Sequence, residues 1–369
     1  MAPICAVLIA CSCFVTSVFA QGFAGLGGAA DGYTMPQRGM AFSFPRDHGA
    51  HRGFRIEWWY LTSNLKSADG RNFGVQWTLF RSALAPPKKN ATQPATVWKS
   101  TQLWMGHAAV TTKDKHHVAE TRVRSGLDLA GVEVEPFRAW INDWQMRADP
   151  ADNSSGSSSG NGIDGLQLNA SGPEFNYQLK LRANGPLIFH GESGYSVKSA
   201  NGSASAYYSQ PFYSVAGDIE LEGEKIVVTG SAWLDREWSS QPLDNQQEGW
   251  DWLSLNFDDG SKLMAFGLRQ SGSTSYTSAT HVAADGKVSA YGDGAVVLTP
   301  LTQSTVAGRQ IPTGWRVKLK AQNINVEIAA QNPDAWMNTS IPYWEGPVTI
   351  AGSHAGRGYL EMTGYKPVK

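Results

Sequence analysis

The sequence predicts an all-β protein made of two homologous antiparallel units. Three observations carry that prediction: apolar residues recur with a period of two in short runs, Asp-Gly pairs separate those runs, and a Trp-rich hairpin occurs twice. No stretch of about a dozen residues shows a helical period. The length of 369 residues fits two domains at roughly 150 residues each. The 14 Trp and 39 Gly add flat packing faces and turn residues, which also favours β structure.

The clearest strand places Phe73, Val75, Trp77 and Leu79 in alternation with Gly74, Gln76, Thr78 and Phe80. Similar runs occur at Trp104–Thr111, Gln167–Leu181, Lys225–Leu234, Leu253–Phe257, Leu263–Arg269, Trp315–Leu319, Asn325–Ala329 and Tyr359–Thr363. The turn pairs are Asp69-Gly70, Asp259-Gly260, Asp285-Gly286 and Asp293-Gly294. Two polar stretches read as loops, Ala85–Pro94 with its three prolines and Asn153–Gly162 with its Ser, Gly and Asn.

The repeat has two parts. Glu57-Trp58-Trp59-Tyr60 leads through Asp69-Gly70 to Leu79-Phe80-Arg81, and Trp250-Asp251-Trp252 leads through Asp259-Gly260 to Gly267-Leu268-Arg269. The closing stretches echo as well: Tyr208, Val215-Ala216-Gly217 and Val228-Thr229-Gly230 match Tyr343, Ile350-Ala351-Gly352 and Met362-Thr363-Gly364. The order is the same in both copies, so the sequence divides into units at 46–232 and 233–369 behind a Gly-rich leader at 21–45.

Residues 1–20 read as a signal peptide, because the apolar run Ala6–Ala20 is short for a membrane span and ends in Val18-Phe19-Ala20. Cleavage after Ala20 leaves Gln21 first and makes the protein secreted or periplasmic. A second reading takes Leu8-Ile9-Ala10-Cys11 as a lipobox and the protein as a lipoprotein. Cys5, Cys11 and Cys13 all fall in this segment, so cleavage after Ala20 removes disulfides and thiolate chemistry together. A net charge of −1 gives no footprint for nucleic acid or for an anionic membrane surface.

The run His51-Arg52-Gly53-Phe54-Arg55-Ile56-Glu57-Trp58-Trp59-Tyr60 resembles the opening motif of the AttH/carotenoid 1,2-hydratase family. Trp233-Leu234-Asp235-Arg236-Glu237-Trp238, Gly249-Trp250-Asp251-Trp252, Tyr343-Trp344-Glu345-Gly346-Pro347 and Gly358–Tyr365 agree with it, so the likeness spans about residues 45 to 366. The resemblance implies two tandem lipocalin-like (calycin-type) antiparallel β-barrels, export, and an apolar cavity. It implies no single activity. One branch hydrates acyclic carotenoids, some fungal relatives are pericyclases, and many bacterial members are found near ABC-transporter genes. The hydratase branch is expected to have a His-Asn pair after the aspartate that Asp235 matches; here Arg236-Glu237 follows. Arg cannot shuttle a proton as His does, which counts against hydratase activity.

Alkene hydration needs an acid that keeps its proton, and a carboxyl in an apolar cavity beside aromatic faces meets that need. Asp235 lies between Trp233 and Trp238, and Asp251 between Trp250 and Trp252. The alternative, favoured on sequence, is a structural ion cluster of Asp235, Arg236 and Glu237 closing the second barrel. Glu57, on one face with Arg55, is either a polar anchor in the first cavity or, preferably, half of a cross-strand salt bridge. His107, on a face with Met105 and Ala109, is a candidate acid or base and otherwise a satisfied core side chain. Expected ligand contacts are Trp59, Tyr60, Trp77, Trp104, Trp238, Trp250, Trp252, Tyr343, Trp344 and Glu345. His48 with His51, and His116 with His117, lack an evident third ligand, so neither a metal nor a cofactor is expected. The absence of a Gly-x-Ser-x-Gly elbow argues against a serine hydrolase. The favoured function is a carrier of an apolar, isoprenoid- or lipid-like molecule in a barrel cavity. The alternatives are a hydro-lyase or isomerase of the carotenoid-hydratase type and an accessory of an ABC exporter.

Overall fold

The computed structural model describes residues 26, 28, 30–87, 101–125, 128–150 and 161–368. The expected signal peptide, its cleavage site and Cys11 lie outside the described residues, as do most of the 85–94 loop and nearly all of the 153–162 loop. Regular structure is almost entirely β.

The first sheet contains β1 (Ile56–Ser67), β2 (Asn72–Ala83), β3 (Gln102–Thr111), β4 (His116–Arg124), β5 (Ala130–Val134), β6 (Phe137–Ile141), β7 (Trp144–Ala148), β8 (Gly165–Ser171), β9 (Phe175–Ala183), β12 (Ala204–Leu221) and β13 (Glu224–Ser239). Their order is β4-β3-β2-β1-β13-β12-β9-β8-β7-β6-β5, with the short β10 (Ile188–Phe189) and β11 (Tyr195–Val197) paired onto β12. The second sheet contains β14 (Gln247–Phe257), β15 (Lys262–Gln270), β16 (Tyr276–Val282), β17 (Val288–Tyr291), β18 (Val296–Val306), β19 (Arg309–Leu319), β20 (Ile324–Ala330), β22 (Tyr343–Gly352) and β23 (Gly356–Met362). Its order is β17-β16-β15-β14-β23-β22-β20-β19-β18, with β21 (Trp336–Met337) paired onto β22. The two orders superimpose: the hairpin β1–β2 takes the place of β14–β15, and β12–β13 that of β22–β23. In the first sheet β6 packs across β2, β3 and β4, and in the second β16 packs against β18. Each sheet therefore curls into a near-barrel, giving a tandem lipocalin-like fold.

One local outcome follows the sequence closely and two depart from it. Gly70, Gly260, Gly286 and Gly294 all have positive φ, as the Asp-Gly turns require. The run Gln167–Leu181 is two strands, because Gly172-Pro173-Glu174 breaks it between β8 and β9. The division between units falls later than 232/233. Residues 233–239 are the end of β13 in the first sheet, paired with β1 from Ile56↔Ser239 to Ser67↔Val228, and the second sheet begins at Gln247. The cluster around Asp235 thus belongs to the first barrel, not the second.

Both barrel interiors are filled. Trp59, Leu61, Val75, Trp77, Leu79, Trp104 and Val110 occupy the first, and Leu253, Leu255, Trp315, Val317, Trp344 and Leu360 the second. A third apolar cluster joins the outer faces of the two barrels and includes Ile56, Tyr60, Tyr207, Trp233, Trp252, Phe266, Leu268 and Tyr359. Phe42, Phe44 and Phe54 cap the first barrel against Tyr208 and Trp238.

Candidate active site between the two barrels

Strand alternation decides what reaches this interface. In β1, Glu57, Trp59 and Leu61 face the first barrel's interior, whereas Trp58 and Tyr60 face the second barrel. In β13, Leu234 and Arg236 point inward, and Trp233, Asp235 and Glu237 point outward. In β14, Asp251 and Leu253 point inward, and Trp250 and Trp252 outward. Trp58, Tyr60, Tyr207, Asp235 and Glu237 of the first barrel and Trp250, Trp252, Phe266, Leu268 and Glu361 of the second enclose a cavity, with Lys198, Pro242 and Leu243 completing its wall. About 650 Å³ of empty space lies within it, some of it open to solvent. A second lobe of about 590 Å³ shares Trp58, Trp250 and Glu361 and is lined further by Phe80, Met105, His107 and Tyr343. This aromatic-walled space lies between the barrels, whereas the expected site was a cavity inside a barrel, and both barrel interiors are filled by side chains.

The chemistry of this space is carried by carboxyls. Asp235 Oδ1 accepts hydrogen bonds from the Trp233 indole N–H at 2.9 Å and from the Ser209 hydroxyl. Ser209 in turn bonds His190 Nε2 at 2.6 Å. Burial pushes the Asp235 carboxyl up to about 7; bonds from Ser209, Trp233 and Tyr207 oppose the shift, and Glu237 adds to it. Glu361 accepts from the Trp250 indole N–H, and burial with repulsion from Asp235 and Glu237 raises it to about 7 as well. Glu345, opposite Glu361 in the β22–β23 register, accepts from the Tyr60 hydroxyl at 2.5 Å. Burial and the charge of Glu361 put Glu345 well above the usual carboxylate range. Glu237 is paired with Lys198 Nζ at 2.9 Å, and that ammonium lies 4.2 Å from the Phe266 ring centroid.

The remaining candidates fall elsewhere. Asp251 faces the second barrel's interior, bound by Arg269 and, at 3.0 Å, by the Tyr365 hydroxyl; it does not line the cavity. Glu57 is fully buried and bonds Arg81 across the strand pair at 2.5 Å, Arg236 at 3.3 Å and His51 at 3.0 Å. Arg55 turns instead to the carbonyls of Leu26 and Gly28. Trp59, Trp77 and Trp104 are core residues of the first barrel and Trp344 of the second. Trp238 stacks on His51 at 3.8 Å. Tyr60, Trp250, Trp252 and Tyr343 do reach the cavity or its second lobe, as does His107, while Glu345 is buried behind it. Glu361, Lys198, Tyr207, Phe266 and Leu268 were not anticipated. Glu361 stands across from the second outward aromatic of its hairpin as Asp235 does, Trp252↔Glu361 and Tyr60↔Asp235, but the sequence echo sets Glu361 against Val227 and so gave no signal for it.

The sequence profile of the AttH-like family matches residues 35–365. The chain belongs to the AttH-like family. Among solved structures, an AttH assignment from Nitrosomonas europaea is 32% identical, with a TM-score of 0.77, covering 90% of this chain and 100% of its own. Kievitone hydratase from Nectria haematococca shares the fold at 13% identity and a TM-score of 0.66, covering 91% of this chain and 96% of its own. No curated protein sequence matches the chain. In this AttH-like protein the Arg236 that departs from the hydratase pattern points away from the cavity. It bonds the carbonyls of Trp58 and Gly49 at 2.7 Å each, and its guanidinium lies 3.8 Å from the Trp59 ring centroid. Among the described residues, no cluster of three His, Cys, Asp or Glu could hold a metal, and no helix is long and apolar enough to cross a membrane.

The raised carboxyls carry a stability consequence. Asp235 and Glu361 titrate near 7 when folded but near 4 when unfolded, so folding stability falls as pH rises between those values and the loss is complete above about 7. A combined Asp235→Asn, Glu361→Gln AttH-like variant is expected to lack that loss and to be more stable than wild type by on the order of a few kcal/mol at pH 8. Urea unfolding at pH 4 and pH 8 measures the difference; equal pH slopes for the two proteins would rule this out.

Proposed function

We propose that this protein is an acid–base enzyme that adds water to, or removes it from, a carbon–carbon double bond of a small uncharged substrate held between the barrels. The observation that carries this reading is the pair Asp235 and Glu361. They come from opposite barrels and line one aromatic-walled cavity, where burial holds both carboxyls near neutrality and the charge of Asp235 adds to the rise of Glu361. Near pH 7 such a pair shares protons, so an acid and a base coexist at one site. Asp235 keeps a proton near neutral pH because burial outweighs the bonds from Ser209, Trp233 and Tyr207, so it serves as the acid. That proton goes to one alkene carbon, Trp58, Trp250 and Trp252 face the cation left on the other, and a water adds there as Glu361 takes its proton. The net change is one water across one double bond. A buried carboxyl cluster with Lys198 as the cation of its wall disfavours an anionic substrate.

Support from relatives is limited to fold: the hydratase among the structural neighbours shares this architecture at low identity and names no substrate here. Incubating the protein with uncharged conjugated or isoprenoid alkenes in water labelled with heavy oxygen tests the reading. The expected product has gained labelled water. Recovery of every alkene unchanged, together with displacement of a hydrophobic dye from the cavity, would establish a carrier instead.

A further inference from the structure

Each turn of the proposed reaction leaves Asp235 without a proton and Glu361 with an extra one, and both groups are buried. A second chain of groups leads out from this end of the cavity. Glu120 on β4 keeps 19% of its side chain exposed and is fixed by the Ser340 backbone N–H at 3.1 Å and by the Ser340 hydroxyl. Its Oε1 lies 3.2 Å from His107 Nε2, and His107 Nδ1 lies 3.0 Å from the Tyr343 hydroxyl. Tyr343 belongs to the other barrel and is hydrogen-bonded to Glu345, the cross-strand neighbour of Glu361. His107, Tyr343 and Glu361 line the same lobe.

We propose that Glu120, His107 and Tyr343 form a proton relay that connects the buried Glu345–Glu361 end of the cavity with solvent. The polarity of the chain is set at its outer end. Glu120 is held as a carboxylate, down to about 2, chiefly by its bond to His107. It therefore accepts from His107 Nε2–H, which leaves Nδ1 to accept from the Tyr343 O–H. The Tyr343 oxygen is then free to accept from a protonated Glu345. Outward transfer moves three protons by one bond each: Glu345 to Tyr343, Tyr343 to His107 Nδ1, and His107 Nε2–H to Glu120. Inward transfer is the reverse. Burial lowers His107 and favours its neutral form, the one able to accept and donate at once. Other groups facing the relay are Gln76, whose Nε2 donates to the Tyr343 hydroxyl at 3.4 Å, Arg122, 3.9 Å from Glu120 and near His107, and Tyr60, Tyr359 and Tyr177 around Glu345. None of them gives Glu345 a comparable route to an exposed acid.

The use of the relay rests on the proposed reaction, but its existence is tested without substrate. A rapid pH jump is followed by the infrared carbonyl band of protonated Glu345 and Glu361, assigned by its loss in E345Q and E361Q. In H107Q the band is expected to reach the wild-type amplitude roughly ten-fold more slowly or worse, and E120Q is expected to be slow as well. If H107Q does not fold, Tyr343→Phe, which keeps the ring and removes the hydroxyl, gives the same reading. Unchanged rates in these variants, or no carbonyl band from Glu345 or Glu361 at neutral pH, would overturn the relay. Absence of turnover with every alkene would leave these rates untouched, so the two failures are distinguishable.

Discussion

Asp235→Asn is expected to lower the proposed turnover by about 10²–10⁴-fold while the protein stays folded and still binds its substrate. The substitution keeps the shape of the side chain and its acceptor oxygen toward Trp233 and Ser209 but removes the acidic proton. An ion cluster at residues 235–237, the arrangement the sequence favoured, would give the opposite result, because Asn would strand a buried cation and cost stability. Arg236 points to the far side of the strand, and the neighbours of Asp235 are neutral donors and a repelling carboxylate. Glu361→Gln is expected to fall in the same range. The rate–pH profile of the wild type should peak close to neutrality and fall on both sides, its limbs belonging to the Asp235–Glu361 pair and not to either residue. An Asp235→Asn protein that retains full turnover would eliminate it as the acid.

Glu57→Ala is expected to destabilise the protein by about 3–5 kcal/mol, the range for breaking a buried ion pair from one side. Glu57 lies in the interior of the first barrel between Arg81 and Arg236, all three essentially without solvent contact. Burial alone would raise the Glu57 carboxyl, yet the His51 hydrogen bond and the charges of Arg81, His51 and Arg236 outweigh it and hold the group at about 2. Its contribution is therefore present at neutral pH and is lost only as pH falls from about 4 through 2. Removing the carboxylate leaves two buried guanidiniums facing one another, although Arg81 keeps the carbonyls of His51 and Phe54 and Arg236 those of Trp58 and Gly49. Denaturant unfolding at pH 7 measures the loss. A change below about 1 kcal/mol would mean that those carbonyls and Trp59 suffice to hold the cations.

The fold was legible in the sequence because hairpin chemistry is local. Period-two alternation and Asp-Gly turns act over a few residues, and the repeat needed only order. Which residues share a strand face was legible too, and Trp233, Asp235 and Glu237 do lie together. What the strand pattern leaves open is which face meets what. In β1 both faces are apolar, Trp59 and Leu61 on one and Trp58 and Tyr60 on the other, the mark of a strand buried on both sides. That pattern was the available signal that a second barrel covers the first. Aromatic content alone could not separate Trp59, Trp77 and Trp104, which fill a core, from Trp250 and Trp252, which line the cavity. Ion pairs such as Glu57–Arg81 were open to prediction only as cross-strand possibilities, since the partner depends on register.

The matching strand orders have one more consequence. Asp235 and Glu361 hold comparable places in two like barrels: each stands on the strand beside the opening hairpin, across from an outward aromatic of it. Two identical copies facing one another would place identical carboxyls on the two walls, with nothing to decide which should give a proton and which should take one. Divergence of the copies breaks that tie. Trp233 and Ser209 clamp one oxygen of the shorter acid, while the longer acid has Trp250 from the facing hairpin of its own barrel. Direction in the reaction would then be a product of asymmetry between duplicates, and each half alone would hold one wall of a site and one member of its pair.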